Sequence, residues 1–413
     1  MRIAIQTLGC KTNQAESLEI ESYLIQDGNS VVEISDRPDI CIINTCSVTA
    51  KADQQSRQLI RKALRNNAKV IVTGCYAELY ADRIKEIGDS IEIIKNVDKD
   101  SIISKIFNRK PAFTCASGQY SRKRPIVKIQ DGCNFSCSYC SIPMARGRSR
   151  SMPMKEIIDK INKYEESGYK EVVLAGIHLG TYGLDYIPNE SLSLLLKRIL
   201  TDTSMARIRL SSIEIGEVNE NIIDIMADSR ICRHLHIPLQ SGDDYILRKM
   251  KRHYDTTKFA DRLEMITLKF PGIAIGTDII TGFPGEGEEN FLNTCRFIEG
   301  LPLSYVHIFP YSVRTGTKAS LFDNQVPEWI KKERFKVLNK IADFIRQNYI
   351  VRHIDDTLQI IIETKNHEGY WGTSANYIKV LLAGDYDLKE KALIDVRVAG
   401  FENQHATGIP LIR

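Results

Sequence analysis

Apolar and polar positions divide the chain into three regions with different periodicity. In residues 1–110, apolar runs at 2–8, 39–44 and 69–73 alternate with segments of helical period, such as 14–26 and 51–66. Continuous apolar strands separated by helices predict a parallel sheet whose two faces are covered. The first region is therefore predicted to be an N-terminal parallel α/β domain.

The second region, residues 125–349, repeats the same alternation over six strand–helix units. The predicted strands are 126–130, 171–176, 206–212, 234–237, 273–280 and 304–309. Because crossovers between parallel strands are right-handed, such a series curves the sheet, and a partial (β/α)6 barrel is predicted. The overall fold class is α/β.

The remaining segments have no helical repeat. Residues 111–124 lack periodicity and are predicted to be a linker. From residue 350 onward, runs at 357–363, 377–382 and 392–398 are separated by Gly, Asn and Asp turns. This pattern predicts a small antiparallel β-barrel over residues 350–413.

Three cysteines follow the first predicted strand of the barrel in the spacing C-x3-C-x2-C: Cys133, Cys137 and Cys140. Thiolates are the preferred ligands of iron–sulfur clusters, and three of them leave one iron of a cubane open to bind a small molecule. Sites that perform chemistry keep such a vacancy, whereas structural sites are closed by four ligands. A zinc site with a fourth ligand elsewhere is the alternative.

Three further cysteines share one topological position in the first domain. Cys10, Cys46 and Cys75 each begin the loop at the carboxyl end of a predicted parallel strand. Ligands of open α/β sheets bind at that edge, so the three are predicted to converge on a second cluster with one open iron. The alternative is buried free thiols, which fits Cys41 inside its strand. No ligand role is predicted for Cys115, Cys232 and Cys295.

Both cysteine groups resemble known motifs. Residues 133–140, with aromatic Tyr139 before the third cysteine, resemble the radical S-adenosylmethionine (SAM) signature. Residues 8–17, 44–49 and 73–77 resemble the cysteine motifs of the methylthiotransferases. Within that family, the residues beside Cys10 and Cys46 resemble the branch that modifies N6-threonylcarbamoyladenosine of tRNA.

The resemblance implies two [4Fe-4S] clusters and SAM as cofactors. It also implies a division of labour, in which the Cys133 group cleaves SAM to a radical and the Cys10 group carries the sulfur. The implied product is tRNA methylthiolated at C2 of N6-threonylcarbamoyladenosine 37. The C-terminal barrel occupies the place of the family's RNA-binding TRAM domain.

Side chains at the ends of the barrel strands are predicted to contact SAM. Gly176 would let the backbone approach the ligand, although the superfamily's Glu is missing from this place. Ser212 and Glu214 could bind ribose hydroxyls, and Tyr139 and Gln240 complete the candidates. Alternatively, the glycine serves a turn, and His178 and His236 nearby are ordinary packed residues.

Positive charge concentrates near both cysteine groups. The whole chain has a formal net charge of +4, yet residues 120–155 hold eight Lys or Arg and one acid, a net of +7. Guanidinium groups bind phosphates bidentately, so RNA contacts are predicted there and along one helix face. These candidates are Arg146, Arg148, Arg150, Arg57, Arg61 and Arg65. The helix face could instead be merely solvated.

The C-terminal region is different in charge. From residue 350 onward it has seven Lys or Arg and nine Asp or Glu, a net charge of −2. RNA binding there is therefore predicted to use shape and the aromatic residues Tyr370, Trp371 and Tyr377.

Composition limits the remaining possibilities. Ten cysteines without a secretion signal or a membrane-length apolar run indicate the reducing cytoplasm and metal ligation. The prediction is a cytoplasmic monomer that acts on the tRNA anticodon stem-loop with an electron donor protein and no membrane. The alternatives are methylthiolation of a ribosomal protein and a non-catalytic zinc and RNA-binding protein.

Overall fold

The computed structural model describes residues 1–99, 101–107 and 123–411. Its first domain is a five-stranded parallel sheet of order β2-β1-β3-β4-β5, with apolar clusters on both faces, as predicted. The strands are β1 Arg2–Thr7, β2 Ser30–Val31, β3 Ile40–Thr45, β4 Lys69–Gly74 and β5 Glu92–Ile93. The helices are α1 Lys11–Gln26, α2 Ala50–Arg65, α3 Cys75–Leu79, α4 Ala81–Lys85 and α5 Ser101–Phe107.

The central region is a partial barrel of two parallel sheets, β10-β9-β6 and β11-β12-β13. Isolated bridges from Ile208 to Ile231 and from Ser212 to His236 join the sheets. The strands are β6 Ile126–Lys128, β7 Gln130–Asp131, β8 Arg150–Ser151, β9 Glu171–Ala175, β10 Arg207–Leu210, β11 His234–His236, β12 Ala274–Thr281 and β13 Tyr305–Pro310. The helices are α6 Ile142–Arg146, α7 Met154–Glu166, α8 Leu192–Asp202, α9 Glu220–Ile225, α10 Asp244–Met250, α11 Thr256–Lys269, α12 Glu288–Gly300 and α13 Glu328–Val351.

Side chains alternate across the strands of the partial barrel. One set, including Val172, Ile208, Leu235 and Ile275, packs in the largest apolar cluster beneath the outer helices. The opposite set faces the lumen and is largely polar. It includes Glu171, Arg209, His236, Asp278 and His307. This polar lumen is where the barrel can receive a ligand.

The partial barrel is completed by the other two domains. Helix α1 packs against β6 and β9, where Ala15 and Leu18 cluster with Ile126, Val173 and Ala175. On the other side, Arg209 donates hydrogen bonds to the carbonyl oxygens of Ser374 (2.9 Å) and Ala375 (3.1 Å). The lumen is therefore enclosed by the N-terminal domain and the C-terminal region together.

The C-terminal region is a closed antiparallel-rich barrel of order β14-β15-β16-β18-β17. Three of its strands were predicted; the chain forms two more, which contain the helix- and strand-breaking residues Gly369, Gly372, Gly408 and Pro410. The strands are β14 Thr357–Asn366, β15 Gly369–Ser374, β16 Lys379–Leu382, β17 Leu393–Glu402 and β18 His405–Pro410.

Parts of the sequence predictions fall on residues that the structure does not describe. Cys115 lies outside the described residues, and so does the predicted linker at 111–124 except for its last two positions. Among the helices of the described ranges, none combines the length and the apolar character that crossing a membrane requires. Cys41, Cys232 and Cys295 are buried, as predicted.

Candidate active site between two cysteine triads

Backbone contacts shape the loop that carries Cys133, Cys137 and Cys140. Gly132 has a φ of 73°, and a Cβ there would lie 2.1 Å from the carbonyl oxygen of Arg148. The amide of Cys133 donates to Gly147 O (3.1 Å), and that of Cys140 donates to Cys137 O (3.2 Å). Only glycine permits the close approach at 132, so the loop sits directly on the turn after α6.

Cationic side chains lie against two of these sulfurs. His178 Nδ1 is 3.5 Å from Cys133 Sγ, and Arg252 Nη1 donates to Cys137 Sγ (3.4 Å). The other nitrogen of His178 is 2.5 Å from Glu217. Burial alone would lower the pKa of His178. The bonds to Cys133 and Glu217 outweigh burial and raise this pKa to about 10. Positive donors beside sulfur favour the thiolate, which is the form that binds iron.

The second triad forms at the carboxyl edge of the parallel sheet. Cys10 is exposed, whereas Cys46 and Cys75 are buried. Gly9 has a φ of 98°, and a Cβ there would lie 2.6 Å from Cys46 Sγ. Burial, together with the nearby thiols of Cys75 and Cys10, raises the pKa of Cys46 to about 12. The structure therefore brings together three cysteines that span 65 residues of the chain, from Cys10 to Cys75.

The spacing of both triads fits a multi-iron cluster better than a single ion. With Zn–S bonds of about 2.3 Å, tetrahedral zinc would hold its sulfurs about 3.8 Å apart. In neither triad do all three Sγ atoms lie within 4.8 Å of one another. Three thiolates around an open iron corner need this wider arrangement. Both triads therefore offer the three-thiolate donor set that a [4Fe-4S] cluster with one open iron uses.

Arg146 connects the two triads. It donates hydrogen bonds to Asn13 Oδ1 (2.5 Å), Glu16 Oε1 (2.9 Å) and Asp131 Oδ1 (2.7 Å). Its charge also opposes the rise that burial causes in the pKa of the Cys75 thiol. The side chain of Arg146 is 0% exposed. The prediction that Arg146 contacts RNA is therefore wrong, because its guanidinium is enclosed among protein acceptors.

Two lysines complete this buried network. Glu16 pairs with Lys99 (2.5 Å) and Lys128 (3.1 Å). Burial alone would raise the pKa of Glu16. The charges of Lys99 and Arg146 outweigh burial and hold this pKa well below its usual range. The network joins the N-terminal domain to the barrel, whose sheets do not pair with the sheet of that domain.

The other predicted RNA contacts lie nearer to the surface. Arg148, Arg150, Arg61 and Arg65 are exposed, and Arg57 is half-buried and donates to the hydroxyl of Tyr76 (3.1 Å). Arg148 also lines an open cavity beside Cys133, Cys137 and Cys140. RNA binding by these five residues stays a prediction.

A cavity of about 230 Å³ lies between the two triads. One wall is formed by Val48 and Thr49, which follow Cys46, and another by Tyr139 and Cys140. Gln240 and Asp278 of the barrel, with Arg314 opposite, complete the lining. Two of the predicted SAM contacts, Tyr139 and Gln240, thus line a cavity that residues after Cys46 and residues beside Cys140 also line.

Three predicted SAM contacts are not among the described residues that line this cavity. Ser212 is exposed, and the carboxylate of Glu214 forms an ion pair with Arg252. A Cβ at Gly176 would lie 3.0 Å from Gln130 Oε1, so the glycine also serves packing. SAM binding by these three residues stays a prediction.

Sequence reasoning missed several residues of the site. In the sequence Arg252 simply ends the basic run 248–252, and His178 resembles an ordinary packed residue. Their partners lie 115 and 45 residues away, which no local pattern shows. His236, Asp278 and His307 also meet in the lumen, with Asp278 Oδ1 3.1 Å from His236 Nε2 and 3.2 Å from His307 Nδ1.

Comparison with known families agrees with this architecture. The family model "Radical SAM superfamily" matches residues 127–298, and "Uncharacterized protein family UPF0004" matches residues 2–95. Among solved structures, the radical SAM methyltransferase TsrM from Kitasatospora setae aligns with a TM-score of 0.56 at 14% identity. That alignment covers 78% of this chain and 77% of TsrM, and it concerns the fold alone.

Curated relatives extend over nearly the whole chain. The threonylcarbamoyladenosine tRNA methylthiotransferase of Bacillus subtilis (strain 168) is 36% identical over 97% of this chain and 94% of its own length. The protein of that name from Aquifex aeolicus is 35% identical over 93% and 97%. The tRNA-2-methylthio-N(6)-dimethylallyladenosine synthase of Fusobacterium nucleatum is 32% identical over 96% and 97%.

The partial barrel and its three-cysteine loop are those of a radical SAM enzyme. With the second triad and these relatives, the chain belongs to the radical SAM tRNA methylthiotransferase family. The resemblance drawn from its cysteine motifs is thereby confirmed.

Proposed function

We propose that the protein methylthiolates C2 of N6-threonylcarbamoyladenosine at position 37 of tRNA, using SAM in two separate steps. The observation that carries this proposal is a cavity lined by Cys140 of the first triad and by Val48 and Thr49, which follow Cys46 of the second. Relatives named for this modification, at 35–36% identity, support the choice of nucleoside.

Both cysteine triads fit the clusters that this reaction requires. When bound, one cluster would supply the electron for reductive cleavage of SAM and the other would carry the sulfur that is transferred. The thiolates of Cys133, Cys137 and Cys140 would hold the first, and those of Cys10, Cys46 and Cys75 the second. Abstraction of hydrogen from an aromatic carbon is beyond acid–base side chains, so a cofactor is needed.

The protein's own residues prepare the site in three ways. His178 lies against the sulfur of Cys133, and Arg252 donates to the sulfur of Cys137 and opposes the rise that burial causes in the pKa of that thiol. Tyr139 and Ile280 pack against the same apolar cluster and give the cavity an apolar wall. Arg146 holds the two cysteine loops at a fixed separation, which lets one base reach both.

The RNA would lie across the basic surface beside this cavity. Exposed Arg148, Arg150, Arg61 and Arg65 would bind phosphates of the anticodon stem-loop, and the C-terminal barrel would contact it through shape. The adenine must leave its stack to enter the enclosed cavity. We also propose that the protein acts as a monomer with an electron donor protein, and that its domains are residues 1–110, 125–349 and 350–413.

An anaerobic assay tests the proposal directly. Reconstituted protein, SAM and a reductant are combined with tRNA that contains N6-threonylcarbamoyladenosine, and the nucleosides are analysed by mass spectrometry. The expected product is the 2-methylthio derivative of that nucleoside. Product only on tRNA with a dimethylallyl group, or only on a ribosomal protein, would contradict the proposal.

A further inference from the structure

A second cavity, of about 440 Å³, opens at the edge strand of the barrel. It lies where β13, helix α13 and the C-terminal barrel meet. Tyr305 and His307 line it from β13, Arg346 from α13, and Tyr377 and Lys379 from the C-terminal barrel. Aromatic rings and cations thus surround one space, together with the carboxylates of Asp343 and Glu363.

Arg346 is a half-buried cation without a carboxylate partner. Its Nε donates to the carbonyl oxygen of Gln404 (3.1 Å), and within the described residues it forms no ion pair. Burial lowers the pKa of Arg346, but a guanidinium still remains charged at physiological pH. By contrast, Arg124 on the same cavity pairs with Glu363 at 2.9 Å.

The cavity adjoins the space between the cysteine triads. His307 of the edge cavity is 3.2 Å from Asp278, whose side chain also lines the space between the triads. The neighbouring imidazole of His236 is neutral, because burial lowers its pKa to about 4. Because Arg124 is paired with Glu363, Arg346 and Lys379 are the lining cations that an anion in this cavity would meet.

The chemistry of the nucleoside matches this arrangement. Its N6 substituent ends in a carboxylate, and the four bonds from N6 to the carboxyl carbon span about 5 Å. An adenine whose C2 faces the triads could thus extend this group past Asp278 into the adjoining cavity. A part-buried guanidinium binds carboxylate bidentately and would remain unpaired beside an apolar substituent.

We propose that the edge cavity binds the carboxylate of the N6 substituent through Arg346 and so makes the enzyme prefer an anionic substituent to a neutral one. This inference rests on the proposed function and names the residue that selects its substrate. Arg346 is a binding residue for the substituent and takes no part in cleaving SAM.

The test compares two anticodon stem-loops that differ only in the carboxylate. One carries N6-threonylcarbamoyladenosine and the other its neutral methyl ester, and kcat/KM is measured for both. The unchanged enzyme is expected to prefer the acid by about tenfold or more, as a charge-assisted hydrogen bond would give. Arg346→Gln is expected to lose this preference through a higher KM for the acid, and Arg346→Lys is expected to restore part of it.

Two controls separate substrate selection from structural damage. Arg352→Gln makes the same chemical change at an exposed arginine at the end of the same helix and should leave the preference intact. Formation of 5′-deoxyadenosine without RNA should be equal in the unchanged enzyme and in Arg346→Gln.

The remaining outcomes are also decisive. If Arg346→Gln weakens both stem-loops equally, the arginine binds an RNA phosphate and the inference fails. If the unchanged enzyme converts acid and ester equally well, the inference fails while the proposed function stands. If neither stem-loop is methylthiolated, the proposed function fails, and equal dissociation constants for acid and ester would refute the inference as well.

Discussion

Replacing Arg146 by Met should loosen the junction between the N-terminal domain and the barrel. The change removes a fully buried cation from two carboxylates, at 2.9 Å from Glu16 and 2.7 Å from Asp131. Loss of one partner of a buried ion pair costs about 3–5 kcal/mol, because the remaining charge stays buried. Glu16 still keeps Lys99, so we expect a cost near the lower limit of about 3 kcal/mol.

Native-state hydrogen exchange measures this cost locally. A chain with several domains does not unfold in one step, so a single melting temperature would mix several transitions. Amides of α1 and β6, which pack together, report the opening of the junction itself. A loss of about 3 kcal/mol should accelerate their exchange by about a hundredfold.

Arg150→Met is the matched control. Arg150 lies four residues further along the chain than Arg146, at the start of β8. Its side chain is 47% exposed and 3.8 Å from Asp131, so its removal should cost less than about 1 kcal/mol. Equal exchange rates at α1 in the two variants would refute the reasoning, since the buried arginine would then contribute no more than the exposed one.

Three further predictions concern the triads and helix α1. Cys137→Ala should abolish formation of 5′-deoxyadenosine, whereas Cys46→Ala should preserve it and stop sulfur insertion; equal loss in both would contradict the division of labour. Gly9→Ala places a methyl group 2.6 Å from Cys46 Sγ, so the iron content measured under anaerobic conditions should fall from about eight to about four atoms per chain. An iron content that stays at about eight would contradict this close packing. Burial raises the pKa of Glu21 from its ordinary 4.5 to about 7. Its stabilising contribution is thus fully present below pH 4.5 and is lost as pH rises through 7. At pH 8 the amides of α1 should therefore exchange more slowly in Glu21→Gln than in the unchanged protein, whereas at pH 5 the two should not differ in this way. An equal effect of the substitution at both pH values would exclude this cause.

The partial barrel could be predicted because strands and helices alternate along the chain. The parallel sheet of the first domain could be predicted because its strands are buried on both faces. Such strands form continuous apolar runs, as at Ile40–Thr45, and their ends locate the cysteines. The strands β15 and β18 could not be recognised in this way. They contain glycine and proline, and they persist because the closed barrel pairs each of them with two neighbours.

The basic run after the third cysteine shows a different limit. Arg146, Arg148 and Arg150 look equivalent in the sequence, yet only Arg146 is buried. Helix α6 ends at Arg146, and Gly147, with a φ of 73°, turns the following residues toward the surface. The acid that holds Arg146, Glu16, lies 130 residues away, so its burial depends on tertiary structure alone.

The bonds from β10 to the C-terminal barrel decide how RNA binding by that barrel can be studied. Arg209 pairs with Glu171 inside the lumen and also donates to Ser374 O, and Arg207 bonds Gln359 O. A truncation after α13 would expose this ion pair to solvent and leave buried donors without acceptors. Loss of activity in such a truncated protein would therefore report a damaged reaction chamber as much as a missing RNA contact. Exchanging single loops between barrels of related enzymes would keep the chamber intact and is the cleaner experiment.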